Sequence, residues 1–149
     1  MNIARLLQHT LALAFIFVVI SVIPLIPSAF ATSYELMTPS IPKAITIDNL
    51  PAREGMVGQQ LMITTTVQSN LNEARPYAAI IEIRDSDGVT IALSYQEGNM
   101  DAHGLTPMGM SWIPQKAGTY QFRTFVVSGI QNAQAYSPVA SSEIKISER

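Results

Sequence analysis

From Ile45 onward, apolar residues return at every second position in short runs, and clusters of Gly, Pro, Asn and Asp interrupt those runs about every eight to twelve residues. No apolar stripe with a helical period competes with this pattern after residue 44. Successive side chains on a strand point to opposite faces, so each run has one side to bury and one to expose. The pattern predicts an all-β sandwich and leaves no room for helices in the body of the chain.

Ile45 and Ile47 begin the series, and Gly55 and Gly58 interrupt it. The run 60–68 sets Leu61, Ile63, Thr65 and Val67 on one face, and after a polar loop the run 77–84 does the same with Tyr77, Ala79, Ile81 and Ile83. Asp85-Ser86-Asp87-Gly88 is the tightest turn signal, because Asp87-Gly88 tolerates the positive φ that hairpin turns need. It predicts a hairpin joining Ile80–Arg84 to Val89–Tyr95, a strand whose Val89, Ile91, Leu93 and Tyr95 share a face. Residues 96–107 read as the longest irregular connection. A short strand then aligns Met108, Met110 and Trp112 before Pro114 ends it. In the run 120–127, Tyr120, Phe122, Thr124 and Val126 alternate with Gln121, Arg123, Phe125 and Val127. Apolar residues on both faces mark a central strand covered on its second side by a loop, the linker or a partner. Ile144 and Ile146 against Glu143 and Lys145 suggest a closing edge strand. About seven strands result, in one module without internal repeats.

Before that module, Met1 to His9 carries the single charge of Arg5, and an uncharged apolar run from Leu11 ends on Ala29-Phe30-Ala31. This predicts an N-terminal hydrophobic helix in residues 1–31, acting as a signal peptide or as a membrane anchor, and in either case an exported chain. Residues 32–44, with Pro39 and Pro42, read as a linker, and residues 45–149 as the sandwich. Beyond residue 31 there are 11 acidic residues against eight basic ones, scattered singly. Nothing there would neutralise a phosphate backbone, so no nucleic-acid partner is expected. The chain has no cysteine, which excludes thiol chemistry and leaves stability to packing.

Ala117-Gly118-Thr119-Tyr120 places a tyrosine after a turn at the head of a late strand, and this resembles the tyrosine corner of immunoglobulin-like domains. Together, IIEIRDSDGVTIALSYQEG, SWIPQKAGTYQFRTFVV and SPVASSEIKIS resemble immunoglobulin-like modules of secreted and surface proteins of archaea, over roughly residues 45–147. The resemblance implies fold-determining roles for Asp85 to Gly88, with Asp87 and Gly88 at the tip, and for Trp112, Pro114, Gly118 and Tyr120. It implies adhesive, structural or ligand-presenting work and no catalytic residue.

The residues themselves offer little to an enzyme. His103 is the one histidine after the targeting segment, no Gly-x-Ser-x-Gly elbow accompanies it, and the acids fall mainly at turns. The alternative chemistry is a copper site, because thioethers with imidazole suit copper and Met100, His103, Met108 and Met110 lie within eleven residues. Met108 and Met110 also share the face of Trp112, where methionine fills core gaps. Asp85 and Asp87 invite a calcium reading, but strand residues follow where further oxygen ligands would be needed. The sequence therefore predicts a non-enzymatic module without cofactor, meeting a protein or cell-envelope component through loops 69–75, 96–106 and 128–137.

Overall fold

A computed structural model describes residues 35–131 and 133–149. Nine strands occur in them: β1 (Met37–Pro39), β2 (Lys43–Thr46), β3 (Glu54–Met56), β4 (Leu61–Ser69), β5 (Arg75–Arg84), β6 (Thr90–Met100), β7 (Leu105–Trp112), β8 (Gly118–Val127) and β9 (Ala140–Ser147). They form two sheets. In the first, β7 lines one side of β4 from Leu61↔Trp112 to Gln68↔Leu105, while β1 and β2 follow one another along its other side. The second has the order β3-β9-β8-β5-β6. All pairings are antiparallel except that of β3 with β9. The predicted N-terminal hydrophobic helix, residues 1–31, lies outside the described residues. Among the described residues no helix is long and apolar enough to cross a membrane.

The core fills the space between the sheets, and the alternation selects its members. Leu61, Ile63 and Val67 from β4, Ile81 and Ile83 from β5, and Phe122 and Val126 from β8 are fully buried. Each such side chain contributes about 1.5–3 kcal/mol relative to exposure. Two threonines share this interior. Thr65 Oγ1 donates to the Ser40 carbonyl at 2.8 Å, whereas Thr124 Oγ1, fully buried on β8, meets no partner among the described residues. A buried hydroxyl without a partner is a net cost, so Thr124→Val should raise stability by about 1 kcal/mol. The midpoint of urea unfolding checks this, and an unchanged or lower midpoint contradicts it.

Three segments depart from the sequence expectation. The stretch read as a linker, 32–44, contains β1 and the start of β2, with Met37 fully buried. Pro39 and Pro42 erase the alternation but suit an edge, where a missing N–H removes no ladder bond. Ser40 between them stitches the break to β4, its N–H donating to Thr66 O at 2.7 Å and its Oγ accepting from Thr66 N at 2.9 Å. The connection read over 96–107 shrinks to residues 101–104, because the polar stretch Gln96 to Met100 is laddered to β5 and β7 begins at Leu105. β9, expected at an edge, lies inside its sheet because β3 pairs alongside it. Gly55 permits that approach, since a Cβ there would lie 2.9 Å from Ile146 Cδ1. Nine strands thus stand in place of seven.

Candidate functional site

The sheet of β5, β6, β8 and β9 presents an outer face unlike that of a solvated sheet. β5 turns Tyr77, Ala79, Ile81 and Ile83 inward, and cross-strand partners share a face, so Gly98, Gln96, Ser94 and Ala92 of β6 also face inward. The larger pair points out: Leu93 and Tyr95 are 54% and 55% exposed. Next to the hairpin the register slips by one residue, a β-bulge that leaves Ile91 unpaired and sets Thr90 opposite Arg84 on the outer face. Asp85 Oδ1 accepts from Asp87 N at 3.0 Å and from Val89 N at 2.9 Å, Gly88 N donates to Asp85 O at 3.0 Å, and Gly88 sits at φ 78°. The predicted hairpin is present, and a single Asp85 carboxylate oxygen accepts both turn N–H groups.

Across the sheet, Tyr95, Ile80 and Phe125 stand in one row, Leu93, Glu82 and Arg123 in the next. Ile80 and Phe125 are half-buried, so the apolar surface continues from the edge strand toward the centre. Glu82 is embedded in it with its side chain only 7% exposed. Its Oε1 accepts from Arg84 Nε at 2.9 Å and from Thr90 Oγ1, and its Oε2 from Arg123 Nη1 at 2.8 Å. Burial pushes the Glu82 carboxyl up. The hydrogen bonds of Thr90 and Arg84 and the charges of Arg84 and Arg123 together pull harder the other way, holding it below the usual carboxylate range. The face therefore carries one carboxylate between two guanidinium groups, framed by apolar side chains. At its far end, Ile130 N donates to Glu97 Oε1 at 3.0 Å, drawing the β8–β9 connection across Ala78, which is fully buried. A loop thus covers one end of the second side of β8 and leaves the rest open.

The other connections read as recognition loops are held down. Asn70 Nδ2 donates to Glu35 O at 3.0 Å and Thr38 Oγ1 at 2.9 Å. His103, at φ 54°, donates its backbone N–H to Leu71 O at 3.1 Å and its Nε2 to Asn72 Oδ1 at 2.9 Å. The two loops are thereby joined at one end of the sandwich. The copper candidates do not share an environment: Met100 and Met108 are buried in the core, Met110 packs against it, and His103 is exposed on its turn. β7 rises about 3.4 Å per residue, which carries Met108 about 10 Å along the strand from Leu105.

The structural residues lie where the two sheets meet. Trp112 of β7 packs edge-on against Tyr120 and Phe122 of β8, with ring centroids 4.9 and 5.8 Å away. Tyr120 Oη donates to the Lys116 carbonyl at 2.8 Å, tying the turn to the entrance of β8. Gly118 there has φ 153°, a region that side chains disfavour. Pro114 is fully buried and its carbonyl accepts from Gly58 N at 2.9 Å. Tyr120→Phe keeps the ring on Trp112 and removes only the phenol bond, so a loss of about 1 kcal/mol is expected. An unchanged melting temperature would show that the bond to Lys116 holds nothing.

No protein-family model matches this chain and no curated protein matches it. Solved structures do. The C-terminal domain of wzt superposes with a TM-score of 0.60 at 11% identity, covering 74% of each chain. The CARDB domain of a Pyrococcus furiosus protein, solved in complex with di-metal ions, gives 0.56 at 10% identity, covering 78% of this chain and 98% of that one. A cycloisomaltooligosaccharide glucanotransferase of Paenibacillus gives 0.54 at 12% identity, and the match spans 14% of that enzyme. At such identities the likeness is one of fold, and the fold is an immunoglobulin-like β-sandwich.

Proposed function

We propose that this chain is an exported, non-enzymatic immunoglobulin-like module that works by contact at the cell surface, with the outer face of β5, β6 and β8 as its contact surface. The observation that carries the reading is the half-exposed pair Leu93 and Tyr95 beside Ile80 and Phe125. A hairpin that could have turned small residues outward instead exposes large ones, and contiguous apolar patches on soluble proteins mark interaction sites. Tyr95 adds the rigid, amphipathic contact area that recognition surfaces favour. Adhesion, envelope structure or service beside a larger complex all fit such a face. Export rests on the apolar run ending at Ala31.

The test is site-specific photo-crosslinking on intact cells, with a benzophenone amino acid replacing Tyr95 and, as a control, Ile47, which is 77% exposed and lies outside this face. The expected outcome is an adduct with an envelope or surface protein from Tyr95 and none from Ile47. Adducts formed equally at both positions, or only with cytoplasmic proteins, would overturn the reading. N-terminal sequencing of the same material separates a cleaved signal, starting near Thr32, from an anchor retaining Met1.

A further inference from the structure

The bulge in β6 turns Thr90 onto the outer face opposite Arg84, and there its hydroxyl donates to Glu82 Oε1. Bulges commonly re-aim one side chain at a functional position. The group served here is the carboxylate between two guanidinium groups. Arg84 spends Nε on it and Arg123 spends Nη1. The two Nη atoms of Arg84, and Nε and Nη2 of Arg123, meet no acceptor among the described residues. Both arginine side chains stay partly open, at 36% and 22% exposure, whereas Glu82 is nearly covered. One negative charge against two positive ones leaves a single positive charge in excess. Glu143, which stands beyond Gln121 on β9, forms no ion pair with either guanidinium.

We infer that this excess charge is the seat of an acidic side chain, an aspartate or glutamate of the partner protein that docks on the outer face. The inference rests on the contact role proposed for that face and names the chemistry of what meets it. Charge complementarity selects the occupant. A carboxylate carries one negative charge and cancels the excess, and guanidinium groups offer it N–H donors in a matching fork. A phosphate monoester, at about −1.5 to −2, would leave negative charge unpaired above Glu82. A nucleic acid or an anionic membrane would bring many charges to one seat, on a chain that beyond residue 31 holds 11 acidic residues against eight basic ones. Glu82, itself held by Thr90, keeps both arginines in place before a partner arrives, so less side-chain entropy is lost on docking. Leu93 stands opposite Glu82, and Tyr95, Ile80 and Phe125 form the adjoining row. Apolar contact there would exclude water from the ion pair, the setting in which an interfacial arginine counts most.

The test extends the crosslinking on intact cells, with the benzophenone at Tyr95 as the probe. Arg84→Gln leaves one guanidinium against one carboxylate, an excess of zero, and should lower the adduct yield about tenfold. Glu82→Gln raises the excess to two positive charges, and the adduct should persist. Because that variant also disturbs the cluster, it controls for a loss caused by misfolding. Glu82→Gln combined with Arg84→Gln returns the excess to one positive charge, on Arg123, and the adduct should return with it. Phosphatase treatment of the cells should leave the adduct intact. An undiminished adduct in Arg84→Gln overturns the acidic partner while the outer-face reading stands. So does a double variant that fails to recover the adduct, or an adduct abolished by phosphatase. No adduct at Tyr95 with both arginines intact removes the outer-face reading and this inference together.

Discussion

Trp112→Ala should lower the unfolding free energy by about 3–5 kcal/mol, a large share of the roughly 5–15 kcal/mol that a domain of this kind possesses. Trp112 is only 7% exposed and sits at the end of β7, in the first sheet, opposite Leu61. Its ring meets Tyr120 and Phe122 of the second sheet edge-on, at interplanar angles of 68° and 82°. Truncation removes the buried indole and two aromatic contacts that add about 0.5–1.5 kcal/mol each beyond area, and it leaves a cavity where the sheets meet. Collapse into that cavity is resisted on both sides, by the Tyr120 bond to Lys116 and by the Pro114 bond to Gly58. Trp112→Phe keeps a ring in place and should lose about half as much. The measurement is urea unfolding followed by far-ultraviolet circular dichroism, because Trp112 is the chain's one tryptophan and fluorescence disappears with it. A loss below about 1 kcal/mol for the alanine variant would mean that the sheets are held together elsewhere.

The inward faces of β4, β5 and β8 were legible in the alternation, because a two-residue period is a local property of each strand. Leu61, Ile63 and Val67, then Ile81 and Ile83, then Phe122 and Val126 are read from the chain and found buried. Position among neighbours is not local. β9 carries Glu143 and Lys145 like an edge strand, yet β3 covers it, and nothing within either run announces a pairing across some ninety residues. Pro39 and Pro42 hide β1 and β2 for a related reason: the residues that suit a broken edge are those that read as a spacer.

The contact face was legible only in part. Val89, Ile91, Leu93 and Tyr95 visibly share a side, but which side faces the core depends on their register with β5, which the turn at Asp85 to Gly88 sets. A reader of the sequence would place the larger residues inward, because burial is where large apolar residues gain most. The structure turns Leu93 and Tyr95 out because β5 commits Ile81 and Ile83 first, and their partners on β6 are Ser94 and Ala92, while a bulge at Thr90–Ile91 takes Ile91 and Val89 out of that row. The tyrosines divide along the same line: Tyr77, Tyr120 and Tyr136 are buried, and Tyr95 is 55% exposed. The ion cluster at Glu82 had no sequence signal. Its members Glu82, Arg84, Thr90 and Arg123 lie on three strands and meet only through pairing.

Glu82→Gln should therefore destabilise the protein by about 2 kcal/mol at neutral pH, although the site lies on an outer face. Exposed ion pairs contribute little, but this carboxylate is nearly covered while its partners Arg84 and Arg123 keep side-chain exposures of 36% and 22%. The amide fits the same space and still accepts a hydrogen bond, yet it cannot offset two guanidinium groups converging on one point. The pH dependence gives a second, independent readout. The folded protein holds the Glu82 carboxyl below its unfolded value, so its contribution is fully present above the unfolded pKa of about 4.3. It declines as pH falls through the folded value, because protonation of the folded form removes what the charge supplied. The difference in unfolding free energy between wild type and Glu82→Gln should thus be constant from pH 7 to about pH 5 and shrink below about pH 4. Urea titrations at pH 7 and pH 3 measure it. A gap that stays the same at pH 3 would mean that shape, not charge, is what Glu82 supplies. A cluster behaving as expected makes the outer face stiff at its centre, with Leu93 on one side of Glu82 and Arg123 on the other, and a face held flat by its own ion pairs presents the row of Tyr95, Ile80 and Phe125 in one fixed arrangement.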